Sequence, residues 1–442
     1  MRFMQTLRTL VLSASLAASA GARTVLPYQP VEIFRSELTA ALEKYPEAFP
    51  YAVDNVFAAH RSRADQIDAM TLRWATQSTI TQGTAHTHYS LLENFGKDLE
   101  PKDRQTLLDK LTTKENYLFF DAEPSFYLRN VLTHFQNGEI PLEAEQLRTV
   151  VHYLVEFGND TQAQFALNTY GTLLSKEDKA LAERRSKTGG YQSVFSGIRP
   201  IAQSTSADFA DAKMVRIFVH PMFFYFFDSW DSTDEEVTSA SIRAWIAGAK
   251  EREGRYNSPS SHNALIVQTQ SELHSLEALR NYAAPTILIL PPALITQEGD
   301  PWRGDISDQS SVQNLGRFLE RTIGNNRQVY YLESGSVGTG ELSLDDIAKL
   351  RTVIPPDTAL RVEGGYLSQC LEKAAKQLTS LPNPLAINLR RSAIVGVMGF
   401  PTDLSCPLPD LSADAQTKFY DCIAEQFAEQ LKDAESPIKL LH

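Results

Sequence analysis

Cysteine is scarce in this chain: 442 residues carry three, Cys370, Cys406 and Cys422, all near the C-terminal end. That excludes a disulfide-stapled scaffold, so stability must come from an ordinary apolar core. In an oxidising compartment an odd count permits one bridge and leaves one thiol over, and spacing alone does not choose among the three pairings, Cys370 with Cys406 included. Runs of Lys and Arg are also missing. The chain holds 42 basic against 54 acidic residues, a net charge of −12. Such a field repels phosphate backbones, so nucleic acid is not an expected partner. A third absence is an apolar stretch of the roughly 20 residues needed to span a bilayer, and no stable membrane insertion is expected.

What is present starts with a leader. Arg2 and Arg8 precede an apolar run from Thr9 to Ala20, closed by the small residues Ala20, Gly21 and Ala22. A charged start, a short apolar middle and a small-residue cut site are the marks of a removable signal peptide, read here as residues 1–22. The mature protein is therefore expected to be exported, to the periplasm or the medium.

Residues 30–187 have a helical texture. Apolar residues recur at spacings of three and four, as in Phe34, Leu38 and Leu42 or Leu147, Val151 and Leu154. Residues 188–211 are rich in Gly, Ser and Thr and read as a linker. From 212 to 400 short apolar runs alternate with helical stretches: Val215 to Val219, Ala264 to Val267, Thr286 to Leu290, Val329 to Leu332, Leu360 to Glu363 and Leu385 to Leu389. That alternation predicts a three-layer α/β unit with a mostly parallel sheet, preceded by an all-α unit. Residues 401–442 read as a C-terminal extension with one more helix.

In an open α/β sheet ligands gather just past the strand ends. The candidates there include His220 to Asp228, Glu333, and the stretch Arg361 to Leu371, RVEGGYLSQCL. A strand, then Gly364 and Gly365 allowing a tight turn, then Tyr366 and a cysteine opening a helix would place Cys370 where unpaired backbone N–H groups lower a thiol pKa. At this point the chain resembles the isochorismatase-like cysteine hydrolases, in which a glycine ends a strand and the nucleophilic cysteine follows after five residues. Gly364, Cys370 and the continuation Cys370 to Ala375 carry that resemblance, which extends over about residues 215–392. It implies an isochorismatase-like or Rossmann-like fold, with Cys370 as nucleophile. It also implies an aspartate after the first strand and a lysine after a later one, where this sequence has Pro221 and Ser334. His220 or Asp228 would have to act as base instead.

Two readings follow. One is a degenerate relative that keeps the fold and binds a small molecule or protein through residues such as Glu333, Gly364, Gly365 and Tyr366. The other is a cysteine hydrolase of small amide or ester-like compounds. No cofactor or metal is expected. Ser334 to Gly340 lacks the lysine of a phosphate loop, and the acidic run Asp228 to Glu236 lacks a calcium-loop spacing. His86 and His88, with Glu93 nearby, have a spacing by which two imidazoles on a strand could share a metal, but the surroundings predict a loop entering a helix.

Overall fold

The computed structural model describes residues 30–43, 51–113, 124–158, 160–186, 190–228, 237–248, 259–292, 309–335, 340–366, 370–388 and 438–441. The expected leader (1–22), the helix expected within 401–442, Cys406 and Cys422 lie outside these residues.

Among the described residues, nine helices make the first half: α1 (Pro30–Glu43), α2 (Tyr51–Arg61), α3 (Ala69–Gln82), α4 (Ala85–Phe95), α5 (Pro101–Leu111), α6 (Pro124–Gln136), α7 (Ala144–Phe157), α8 (Asp160–Tyr170) and α9 (Lys176–Arg185). Their starts follow local rules. The Asp68 carboxylate accepts the Thr71 N–H at the head of α3, Ser175 does the same for α9, and Pro101 opens α5, where a missing N–H costs nothing. The Phe34, Leu38, Leu42 stripe is fully inside. Phe34 meets Phe57 of α2 and Phe95 of α4 with ring centroids 6.2 and 5.8 Å apart. A separate apolar core is built on residues 191–387, so each half folds around its own centre.

Among the described residues, the second half forms a parallel sheet of seven strands: β1 (Arg199–Pro200), β2 (Met214–Val219), β3 (Thr286–Leu290), β4 (Val329–Glu333), β5 (Ala359–Gly364), β6 (Leu385–Asn388) and β7 (Ile438–Leu441). Helices α10 (Ser239–Ala247), α11 (Pro259–Leu279), α12 (Gln309–Ile323), α13 (Leu344–Val353) and α14 (Glu372–Leu378) alternate with them. The strand order is β1-β4-β3-β2-β5-β6-β7. Apart from the two-residue β1, that is the 3-2-1-4-5-6 order of doubly wound sheets, with the reversal between β2 and β5. All five residues of β3, Thr286 to Leu290, are buried, as a strand covered on both faces requires.

Three segments depart from the sequence reading. The expected linker is built into the sheet: Arg199 and Pro200 pair with Tyr330 and Tyr331, and Tyr191, Ile198, Ile201 and Phe209 enter the core. Four well-spaced apolar side chains were outvoted in the sequence by the polar residues around them. Ala264 to Val267, expected as a strand, lies inside α11, where Ile266, Thr269, Leu273 and Leu276 make one buried helical stripe. A four-residue apolar run cannot by itself separate strand from helix. Finally, Ile438–Leu441 adds β7 beside β6 in the region read as an extension with a helix.

Candidate functional site

The reversal of strand order puts the ends of β2 and β5 side by side, Val219 opposite Gly364. His220 follows β2 with φ +41° and Met222 with φ +60°, both in the left-handed region that glycine normally occupies. Each costs about 1–2 kcal/mol, so the surroundings must hold them there. The His220 N–H donates to Ile289 O at 2.8 Å, and the Met222 N–H donates to Glu272 Oε2 at 2.6 Å. The His220 ring stacks on Phe223 with centroids 5.4 Å apart, and its Nε2 lies 2.8 Å from Ser334 Oγ, just past β4. His220 is wholly buried, its Nδ1 makes no hydrogen bond among the described residues, and burial lowers its pKa to about 3. The ring is thus neutral at any ordinary pH and a poor base.

On the β5 side Gly364 (φ +87°) and Gly365 (φ +63°) turn the chain sharply. Their missing side chains are a steric requirement as well. A Cβ at Gly364 would stand 2.4 Å from Val219 O, and one at Gly365 would stand 2.8 Å from Cys370 Sγ. Tyr366 is buried against Phe223, ring centroids 5.5 Å apart, and its N–H donates to Cys370 Sγ at 3.0 Å. Cys370 carries a free thiol, 1% exposed, in the turn that leads into α14. Burial pushes that thiol up to about 12, outweighing the N–H groups of Tyr366, Leu371 and Cys370, which pull it down. The sequence leaves three possibilities for Cys370, an activated nucleophile, a small buried residue or half of a bridge to Cys406; in the structure it is buried and free, with its pKa raised. The helix-start amides are present, but desolvation of a charged sulfur wins.

Other buried polar groups lie on α11 and on the central strands. Glu272 of α11 accepts the Gln268 amide at 2.5 Å as well as the Met222 N–H, and burial raises its carboxyl to about 8 against those hydrogen bonds. Glu363 of β5 is fully buried, bonded to Arg216 of β2, with Asn388 of β6 at 3.4 Å. The sequence reading places Glu272 on a helical stretch, Ser271 to Asn281, but does not single it out. The signal was a charged residue within an apolar helical stripe.

The helical half meets the sheet at this carboxyl edge. Phe126 of α6 packs on Gly335, just past Ser334: a Cβ there would stand 2.4 Å from the ring. Arg129 donates to Asp345, Thr133 Oγ1 donates to Asp345 Oδ1 at 3.2 Å, and Asn130 Oδ1 accepts the Leu344 N–H at 3.3 Å.

His86, His88 and Glu93 sit on helix α4 and take separate partners. His86 Nε2 is 2.5 Å from Asp54 Oδ2 and its Nδ1 is 3.1 Å from Tyr127 OH. His88 Nε2 is bonded to Thr79 O at 3.0 Å and burial lowers its pKa to about 4. Glu93 accepts from Tyr89 OH at 3.2 Å. Among the described residues, no group of three or more His, Cys, Asp or Glu is placed to hold a metal ion, and no helix is long and apolar enough to cross a membrane.

Of the sequence candidates, the fold thus brings His220, Gly364, Gly365, Tyr366 and Cys370 together, buried, at the carboxyl ends of β2 and β5. The His220 Nε2 contact goes to Ser334. Glu333 ends β4, partly exposed, and Asp228 closes the π-helical turn Phe224–Asp228, with its side chain outside the described residues. No family model matches the chain, and neither a curated protein nor a solved structure matches it.

Proposed function

We propose that this is an exported protein whose α/β half is a degenerate relative of the isochorismatase-like cysteine hydrolases, using the carboxyl edge of its sheet to bind a small molecule or a protein partner. The observation that carries the reading is the state of Cys370: buried, free, wedged between Gly365 and Gly340, with a thiol pushed up to about 12. At neutral pH such a group is almost entirely thiol. A nucleophile of this kind needs a thiolate and a base. His220, held neutral with a pKa of about 3, supplies no useful base. The ring of buried polar groups at the strand-order reversal supports binding, because open α/β sheets recruit ligands at that edge.

Thiol labelling near neutral pH, read at the Cys370 peptide, tests this. Labelling in the folded protein is expected to be at least about 100-fold slower than in urea-unfolded chain, as a raised pKa and burial both demand. A small-molecule screen by thermal shift should yield ligands that raise the melting temperature without being turned over. Rapid native labelling together with turnover of an amide or ester that Cys370→Ala abolishes would replace this reading by the hydrolase.

A further inference from the structure

Helix α6 has two polar faces with different tasks. Phe126, Arg129, Asn130 and Thr133 recur every three or four residues and contact the α/β half at Gly335, Leu344 and Asp345. Its other polar positions, Tyr127 and His134, point back into the helical half. Tyr127 meets His86, which meets Asp54 of α2. His134 lies between two carboxylates: Nδ1 is 2.5 Å from Glu139 Oε2, while Nε2 is 3.5 Å from Glu93 Oε1 and 3.3 Å from Tyr89 OH.

We propose that α6 is a proton-operated clamp between the two halves: protonated His86 and His134 hold it in the position that grips α13, and loss of those protons loosens the grip. A neutral imidazole has one N–H, a protonated one has two. His134 faces a carboxylate from each nitrogen, so only the protonated ring satisfies both Glu93 and Glu139. For His86, losing the proton removes the countercharge that the ring presents to Asp54.

The charged groups around the pair agree in sign. Burial pulls the His86 pKa down, but Asp54 beside it raises it further, with Lys373 of α14 opposing and Glu341 assisting; the outcome is a raised pKa. Lys373 is itself paired with Glu341 at 3.1 Å. For His134, burial is again outweighed, by Glu93 and Glu139, and the pKa is raised. A histidine raised in the folded state stabilises fully below its unfolded value of 6.5 and ceases to do so as pH rises through the folded value. His88 and His220, held neutral by burial, work in the opposite sense, so melting of the whole protein would mix the two.

The test is therefore local. Hydrogen exchange on the full chain at pH 5.5, 7.0 and 8.5, corrected for the intrinsic pH dependence, would follow peptides covering α6 and the first turn of α13. Protection of both should fall together as pH rises, and by more than any fall shared with β2 and β3, whose core follows the buried Glu272 carboxyl. His134→Gln and His86→Gln, each alone and combined, should show low protection with a flattened pH profile. A flat wild-type profile would overturn the proposal, and that measurement needs no variant to fold. So would loss confined to α4 and α6 with α13 unaffected, or variants that keep the wild-type slope.

Discussion

Glu363→Ala is expected to destabilise the fold by about 3–5 kcal/mol, the usual consequence of removing one partner from a buried ion pair. Glu363 and Arg216 face each other diagonally on the two central strands, with side-chain exposures of 0% and 6%. Arg216 also lies near the Phe218 and Tyr282 rings, 5.6 and 5.9 Å from their centroids, surroundings in which an uncompensated guanidinium is poorly solvated. Removing the carboxylate strands that charge in the sheet interior. Replacing both partners, Arg216→Met with Glu363→Leu, should recover most of the loss, since apolar residues of similar volume need no countercharge. Urea unfolding followed by circular dichroism reads both variants. A loss below about 1 kcal/mol for Glu363→Ala would show that the pair is better hydrated than its burial implies.

Glu272→Gln should change the pH dependence of stability rather than its value in acid. The carboxyl titrates near 8 in the folded protein, against an ordinary value of 4.5. Between these values the folded chain keeps a proton that the unfolded chain has released. Stability must then fall as pH rises through that window, by an amount on the order of a few kcal/mol. Glutamine carries no such proton. The variant should overtake the wild type at pH 8 while matching or trailing it at pH 5, provided that Gln268 turns its amide to pair with the new side chain. Urea midpoints at pH 5, 6.5 and 8 decide it, and parallel lines for the two proteins would mean that Glu272 stays ionised behind its two hydrogen bonds.

Much of the architecture was legible because its signals are local. The runs that became β2 to β6 each end within a residue or two of their observed bounds, apart from Ala264 to Val267, and the Gly364-Gly365 turn was marked by residues that alone tolerate a left-handed backbone. What the sequence concealed depends on distant neighbours. Nothing near Cys370 in the chain says that Gly340 presses on it, or that burial would outweigh the helix-start amides. Pairing of His220 with Ser334 joins residues 114 positions apart. In the same way, Arg129 and Asp345 meet only because the helical half docks on the carboxyl edge. Asp54 and His86 were missed as a pair for a simpler reason. Each reads as a polar residue on an ordinary helix until the helices are packed.

The two-residue strand β1 guards against a hazard common to open sheets. It occupies the outer flank of β4, and its second residue, Pro200, has no N–H to offer. A neighbouring molecule seeking to extend the sheet would find a short, interrupted rim there in place of the five-residue β4. The 191–209 segment therefore leaves little free strand edge beside β4 for edge-to-edge pairing, while its apolar residues pin it to the core.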